Sequence, residues 1–237
     1  MNFWKAKYNR VRPVLQNPQG AFKGGIWPLA MWVLWVALLA ASCAGVHLEG
    51  SYKNPDVVLF HANRVLIVGM TPDAEARESF ETRLQASFEK QGVDAIRSID
   101  LFDVAFTASE RTEAELDRVE QQLLDKDFDA ILFTKLVDVE TRQSLGRQLR
   151  EMGKAYDRFR DDYLIHQGIY YNQDGTDPKS DYYAETALYC ICQGKERELI
   201  WRSDVRISNL RNTEKVIREY TRLLMSALEE EQLIIGH

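Results

Sequence analysis

Hydrophobic and polar positions in the middle of the chain alternate between a strand pattern and a helix pattern. Residues 64–70 read RVLIVGM, a continuous apolar run that predicts a strand buried on both faces. Residues 74–91 place apolar side chains four positions apart, which predicts a helix with one buried face. The alternation continues with a short strand at 93–98, an amphipathic helix at 110–126 and a strand at 129–139.

The rest of the chain begins with a long excursion, residues 140–183, that is rich in charge, tyrosine and turn residues. Part of it, about 145–163, has helical composition. Two strands follow at 183–193 and 198–208, and the short turn between them predicts an antiparallel hairpin. A final amphipathic helix is predicted at 213–231.

These elements predict one α/β domain, residues 64–237, with a single mixed sheet of about five strands and helices packed on it. The element order is β-α-β-α-β, then the irregular tyrosine-rich excursion at about 140–183, then β-β-α. Residues 43–63 are polar, with glycine, asparagine and proline among them, and predict a tether in front of the domain.

The N-terminus has the layout of a secretory signal. Five basic residues and no acid precede Cys43, and the apolar run IWPLAMWVLWVALLAA occupies residues 26–41. This run is at the short limit of what a membrane-spanning helix needs. Whether it is a cleaved signal or a retained anchor, the rest of the chain should lie on the non-cytoplasmic side, because the positive charges precede the run.

The residues at the end of this run discriminate between a cleaved signal and a retained anchor. Leu39-Ala40-Ala41-Ser42-Cys43 resembles the lipobox of bacterial lipoproteins, in which small residues precede a cysteine that is lipidated and becomes the mature N-terminus. That family favours leucine three positions before the cysteine, where this chain has Ala40.

Ala44 resembles the residue that follows the cysteine in lipoproteins sent to the outer membrane. The resemblance implies a signal peptide at 1–42, acyl chains such as palmitate on Cys43, and a lipid-anchored position on the periplasmic side of the outer membrane. The alternative is an uncleaved N-terminal anchor in the inner membrane.

The charge balance and the cysteine count exclude several classes of partner and site. The leader holds five of the 30 basic residues and none of the 36 acids, so the remainder has 25 basic and 36 acidic residues, a net charge of −11. This balance argues against nucleic acid and anionic lipid headgroups as partners. Cys190 and Cys192 lie two residues apart on a predicted strand, where they would bridge only with strain. We expect them to be small packing residues, and we expect no metal.

No catalytic motif stands out. The strand at 64–70 leads into a helix N-terminus, a common anion site, but the connection lacks a glycine-rich loop and Asp73 would repel a phosphate. We therefore expect no cofactor and no catalytic residue.

The tyrosine-rich excursion is the candidate surface for a partner, because tyrosine buries apolar area while it keeps a polar tip. Its candidate residues are Tyr156, Tyr163, Tyr170, Tyr171, Tyr182 and Tyr183. The alternative is that these rings cover the domain's own sheet edge or a neighbouring helix.

Several short motifs between residues 64 and 235 resemble those of a group of uncharacterised bacterial lipoproteins. They are Arg77-Glu78-Ser79-Phe80-Glu81, Gly92 to Ser98, Asp129 to Thr134, Glu185-Thr186-Ala187-Leu188-Tyr189 and Leu199-Ile200-Trp201. More distantly, the element order is similar to the periplasmic α/β domains of the curli-secretion lipoprotein and of the N-terminal part of TolB. The resemblance implies an envelope protein of that fold and supplies no catalytic residues.

Two functions follow as hypotheses. The first is a non-enzymatic, lipid-anchored envelope protein that binds another envelope protein, or assembles with itself, through the excursion and the sheet edges. The alternative is an enzyme or small-ligand binder with a cleft at the carboxyl ends of the strands. Such a cleft would involve Thr71, Asp73, Ser98, Asp100, Thr134 and Lys135.

Overall fold

A computed structural model describes residues 45–139, 142–143, 158–171, 177, 180–192 and 198–233. All of these residues belong to one compact unit, residues 44–237. Its strands are β1 Val46–Lys53, β2 Arg64–Met70, β3 Asp94–Arg97, β4 Ala130–Asp138, β5 Asp181–Cys190 and β6 Glu198–Ser208. Its helices are α1 Ala74–Lys90, α2 Ser98–Leu101, α3 Val104–Thr107, α4 Glu113–Leu124, α5 Phe159–His166 and α6 Thr213–Glu230, and a 3₁₀ helix, Gln167–Tyr171, follows α5.

The strands form a single mixed sheet in the order β1-β6-β5-β4-β2-β3. β2 pairs in parallel with β3 and β4, as strands joined through helices do, whereas β4, β5, β6 and β1 pair with their neighbours antiparallel. The prediction of one mixed α/β sheet covered by helices is confirmed. The sheet has six strands rather than about five, because residues 46–53 form β1 where a tether was expected.

The two faces of the sheet bury separate cores. Residues on one face of β2 and β4, such as Ile67 and Leu132, pack with Phe88 of α1 and Leu224 of α6. Residues on the opposite face, which alternate with these along the strands, pack with α4 and α5. β2 therefore has apolar side chains on both faces, as its uninterrupted apolar sequence predicted.

Helix boundaries follow local chemistry. The Asp73 carboxylate accepts hydrogen bonds from the first backbone N–H groups of α1. Gly92, just beyond the C-terminal end of α1, has a φ of 79°, a conformation that glycine adopts without strain. Thr112 and Glu115 form a reciprocal capping box at the start of α4.

The expectation that Cys190 and Cys192 are free packing residues is corrected, since the two are joined in a disulfide. β5 ends at Cys190, so Cys192 lies beyond the pleated ladder, where the chain can bend back towards its neighbour. In the part of the chain that the structure describes, no helix combines the length and the apolar character needed to cross a bilayer.

Candidate functional site

The six polar residues expected to line a cleft at the carboxyl ends of the strands do not form one site, although Thr71 and Thr134 border the same cavity. Asp73 is occupied as the cap of α1, and Asp100 pairs with Arg97 on the surface at 2.7 Å. Thr134 and Lys135 are neighbours on β4, so their side chains point to opposite faces of the sheet. The geometry therefore divides this set among separate environments.

Ser98 belongs to a buried cluster around the carboxylate of Glu81, which has no exposed surface. Glu81 accepts hydrogen bonds from the Gly69 backbone N–H at 2.9 Å and from the Ser98 hydroxyl at 2.7 Å. Arg77 of α1 donates to the same carboxylate at 3.1 Å and to Ser98 at 2.8 Å. These partners tie α1 to the end of β2 and to the start of α2.

A second polar cluster lies on the opposite face of the sheet, around the ammonium of Lys135, which is 1% exposed. The Lys135 Nζ atom lies 2.6 Å from Asp162 Oδ1 and 3.5 Å from Glu185 Oε2. The other oxygen of Asp162 accepts a hydrogen bond from the Tyr189 hydroxyl at 2.7 Å. His166 Nδ1 lies 2.9 Å from Asp162 Oδ1. We term these five residues the Lys135 cluster, and it joins α5 to β4 and β5.

The electrostatics of the Lys135 cluster fix the protonation of two of its members. Burial raises the pKa of Asp162, but the charge of Lys135 and the hydrogen bond from His166 outweigh it and hold the pKa well below its ordinary value. Burial, aided by the charge of Asp162, raises the pKa of Tyr189 well above its ordinary value. At neutral pH, Asp162 is therefore ionised and Tyr189 is protonated, which suits an internal ion pair more than proton transfer.

The cluster extends outward through Arg142, which bridges two acids. Arg142 Nε lies 2.9 Å from Glu185 Oε1, and its Nη2 also pairs with Asp204. Burial raises the pKa of Asp204, and the charge of nearby Glu185 adds to this effect. The polar groups on this side of the sheet thus form a continuous chain of ion pairs from the core to the rim.

An apolar cavity of about 80 Å³ lies at the carboxyl ends of β2 and β4, beneath α1 and α6. Thr71 and Thr134, two of the expected cleft residues, line it. Thr134 Oγ1 lies 2.7 Å from Thr186 Oγ1, which in turn hydrogen-bonds the Tyr220 hydroxyl. Burial raises the pKa of Tyr220 to about 12. These hydroxyls bond one another, and the largely apolar wall of the cavity suits a small apolar group.

Three of the tyrosines expected on a partner surface are engaged inside the domain. Tyr163 is 2% exposed and packs against the rings of Phe133 and Phe159. Tyr182 is also buried, at 7% exposure. The Tyr170 hydroxyl donates to the Gly69 carbonyl at 3.1 Å. These rings consequently contribute to packing between the excursion and the sheet.

The remaining predicted site residues divide into two groups. Tyr171 and Tyr183 are half-buried, and the guanidinium of Arg142 lies 3.9 Å from the centre of the Tyr183 ring. Tyr156 and the expected lipidation site, Cys43, lie outside the described residues. Among the described residues, no group of three His, Cys, Asp or Glu side chains could hold a metal ion.

The surface that the sequence analysis missed lies on β1 and the segment after it. In the described part of the chain, four large hydrophobic residues are exposed: Leu48 at 45%, Leu59 at 49%, Tyr52 at 52% and Val58 at 79%. β1 is the edge strand of the sheet and pairs, among the described strands, only with β6. We term residues 46–59 the β1 edge surface.

A β-bulge distributes these side chains around the free edge. The register of β1 against β6 shifts between Leu48 and Gly50, so Leu48 lies opposite Val205 and Tyr52 lies opposite Arg202. Val205 packs in the core under α1 and α6, whereas Arg202, an odd number of positions away, points to the other face. Leu48 and Tyr52 therefore project from opposite faces on either side of the same edge.

Comparisons with known proteins give only weak likenesses. No protein-family model matches the chain, and no curated protein matches it. Among solved structures, PelC from Paraburkholderia phytofirmans, solved as a dodecamer, has a TM-score of 0.38 and 10% identity over 79% of this chain and 98% of PelC. Lipoprotein GNA1162 from Neisseria meningitidis has a TM-score of 0.33 and 10% identity over 70% of this chain and 98% of its own. Scores this low support no inference about function, assembly or location.

Proposed function

We propose that this chain is a lipid-anchored protein of the bacterial envelope that binds a partner protein through the β1 edge surface and catalyses no reaction. The leader and the lipobox-like residues before Cys43 support the anchor and a position on the periplasmic side of the outer membrane. The Cys190–Cys192 disulfide supports an oxidising compartment.

The observation that carries the binding proposal is the concentration of exposed apolar side chains on one edge strand. Exposed edges offer unpaired N–H and C=O groups to other chains, and proteins usually protect them with charge or cover them. β1 carries exposed Leu48 and Tyr52 as well as the charged residues Glu49 and Lys53, and its outer edge has no partner among the described strands. An arrangement of this kind suits strand addition, in which backbone hydrogen bonds give affinity and side-chain contacts give specificity.

The proposed occupant is an extended segment of another envelope protein, with apolar residues that contact Leu48 on one face and Tyr52 on the other. The segment that follows β1 widens the apolar surface through Val58 and Leu59. A partner strand would lie along the free edge of β1 and continue the six-stranded sheet. This surface replaces the tyrosine-rich excursion as the first contact site, since three of those rings are engaged inside the domain.

The anchor is tested by intact-protein mass spectrometry of the chain expressed in a Gram-negative host. Wild type should lose the leader and gain the mass of acyl chains at Cys43, and Cys43→Ala should not. An unprocessed wild-type mass would contradict the anchor and support a retained N-terminal segment.

The binding site is tested by charge placed on the free edge. The double variant Leu48→Lys, Tyr52→Lys should lose its envelope partner in affinity purification, because lysine opposes strand pairing at an edge. Ala114→Lys, on the exposed side of α4, adds charge elsewhere and should retain it. Equal recovery of the same partner with both variants would exclude the β1 edge surface.

A second function, binding of a small apolar ligand, is supported by the cavity beneath α1 and α6. Its wall is largely apolar, and the lining residues that carry a hydroxyl are Thr71, Thr134, Thr213 and Tyr220. A dry apolar cavity can accept a guest that fits. In a butanol titration followed by NMR, saturable shifts should appear at Thr134 and Tyr220. Ala184→Leu, which fills the cavity, should remove them, and shifts that persist in this variant would exclude the site.

A further inference from the structure

A groove between α1 and α6 concentrates positive charge on a chain whose overall balance is acidic. Its volume is about 710 Å³, and its walls include Arg83 and Lys90 from α1 and Arg218 and Arg222 from α6. Lys90, Arg218 and Arg222 are exposed to solvent. Four cations in one groove are notable because acids exceed bases by 11 in the chain beyond the leader.

Two acids lie towards the ends of the groove, Glu214 in an ion pair and Glu229 in a hydrogen bond with a neutral amide. At one end, Glu214 accepts from Arg83 Nη2 at 2.8 Å and from the Ser79 hydroxyl at 2.6 Å. At the other end, Glu229 pairs with Gln91. Within the described part of the chain, neither Arg218 nor Arg222 has a carboxylate within 4.0 Å, although the charge of Arg218 contributes to lowering the pKa of Glu214. The middle of the groove therefore keeps a positive charge.

The floor of the groove contains a buried hydroxyl, that of Thr221, which lies one turn of α6 from Arg218 and is 5% exposed. Among the described residues, the Thr221 Oγ1 atom and the buried Nε atom of Arg83 have no hydrogen-bond partner. A buried polar group that is left unbonded costs free energy, so a bound acceptor at this position would be favoured.

We propose that this groove binds a phosphate group. The fork of N–H donors on each guanidinium matches phosphate oxygens, and the hydroxyl of Thr221 supplies a donor at the floor. Arg218 and Arg222 are four residues apart on α6, so both lie on the same face of the helix. The site is separate from the β1 edge surface. Phosphate binding requires only a positive electrostatic potential in the groove, which the negative net charge of the whole chain does not prevent.

The test is calorimetric titration of the full chain in a neutral detergent with inorganic phosphate, at ionic strength held constant with chloride. Arg218→Gln and Arg222→Gln should each raise Kd about tenfold, equivalent to about 1.4 kcal/mol. Arg118→Gln removes the same charge from the exposed side of α4 and should leave Kd unchanged. Failure of wild type to bind phosphate, or equal Kd values for all of these variants, would overturn the proposal.

Thr221→Val separates a ligand contact from a structural role. Because the Thr221 hydroxyl has no partner in the described part of the chain, this isosteric change should leave the thermal midpoint unchanged or higher in the absence of phosphate. It should nevertheless weaken phosphate binding several-fold. Unchanged binding would exclude the floor hydroxyl and with it the proposed geometry.

A parallel titration distinguishes the two sources of phosphate. Dihexanoyl phosphatidylglycerol should bind more tightly than inorganic phosphate if a lipid headgroup is the ligand, and less tightly if free phosphate is. In either case Arg222→Gln should weaken both ligands. Lipid binding that is insensitive to Arg222→Gln would show that only the acyl chains are recognised and would contradict the proposal.

Discussion

The Lys135 cluster and the β1 edge surface differ in where they place polar and apolar groups. The cluster buries Lys135 and Asp162 in the centre of the domain, where each meets an internal partner. The β1 edge surface leaves Leu48 and Tyr52 in water, beside a strand edge that pairs with nothing among the described residues. Loss of one partner from a buried ion pair is costly because it leaves an uncompensated charge, whereas exposed apolar groups gain free energy only when another molecule covers them.

The opposite edge of the sheet, formed by β3, differs from the β1 edge in length and in the pairing of its charges. β3 has only four residues, and its charged ends are engaged in ion pairs from Asp94 to Arg64 and from Arg97 to Asp100. A short, charged edge is one of the ways in which proteins prevent edge pairing. β1 is twice as long and carries apolar groups at its edge, so the two edges are suited to different tasks.

The largest effect should come from neutralising Asp162. Asp162→Asn keeps the shape but removes the charge that compensates buried Lys135, so the free energy of unfolding should fall by about 3 kcal/mol. Asp161→Asn, at the partly exposed neighbour that pairs with Arg160, should change it by less than about 0.5 kcal/mol. Urea unfolding of the two variants measures the difference. An equally small loss of unfolding free energy in both would show that the charge of Asp162 does not stabilise the fold.

A smaller loss should follow removal of the Tyr189 hydroxyl. Tyr189→Phe leaves the ring in the core but deprives Asp162 of a hydrogen bond to its charged form, which should cost about 2 kcal/mol. In Asp162→Asn the same tyrosine change should cost less, because the acceptor is no longer ionised. A double-mutant cycle measures this coupling, and strict additivity would contradict the hydrogen-bonded cluster.

The dependence of stability on pH in the acid range should also report the ionisation of Asp162. The folded pKa of Asp162 is lower than its ordinary value, so its stabilisation is complete above about pH 3.9, the ordinary aspartate pKa. This contribution should be lost as the pH falls below that value, because the unfolded chain then binds the proton more readily. Urea midpoints between pH 2.5 and 6 should fall less steeply for Asp162→Asn than for wild type. Parallel curves would contradict the lowered pKa.

The smallest effect on stability should come from the β1 edge surface. Leu48→Lys with Tyr52→Lys should change the free energy of unfolding by less than about 0.5 kcal/mol, because each residue lies at the surface, 45% and 52% exposed. This variant should lose its partner and remain folded, whereas Asp162→Asn should lose stability and retain the partner. Strong destabilisation by the edge variant would mean that these side chains pack within the domain.

The central elements of the sheet could be predicted because their local pattern agrees with their burial. The run RVLIVGM became β2 with both faces covered, and the helix at 74–91 was found through its four-residue spacing. β1 was missed because Gly50 and Asn54-Pro55 are typical of a tether, and because the bulge near Glu49 interrupts the alternation that marks a strand. Its place in the sheet depends on pairing with β6, about 150 residues later, which no local pattern can indicate.

The polar sites were predicted less well for the same physical reason. Lys135 was named among the cleft residues, but its partners Asp162 and Glu185 are 27 and 50 residues away, and only the fold brings them together. The exposed state of Leu48 and Tyr52 is likewise a property of the edge position. A lysine within an otherwise apolar strand was the available signal of a buried ion pair.

The most direct test of the central claim is site-specific photo-cross-linking in living cells. The photoreactive amino acid p-benzoylphenylalanine would replace Tyr52 on β1 and, in a separate strain, Asp94 on β3. We predict one discrete adduct with an identified envelope protein at position 52, lost when Leu48→Lys is added, and no such adduct at position 94. The absence of an adduct at position 52, or the same adduct from both edges, would contradict binding through the β1 edge surface.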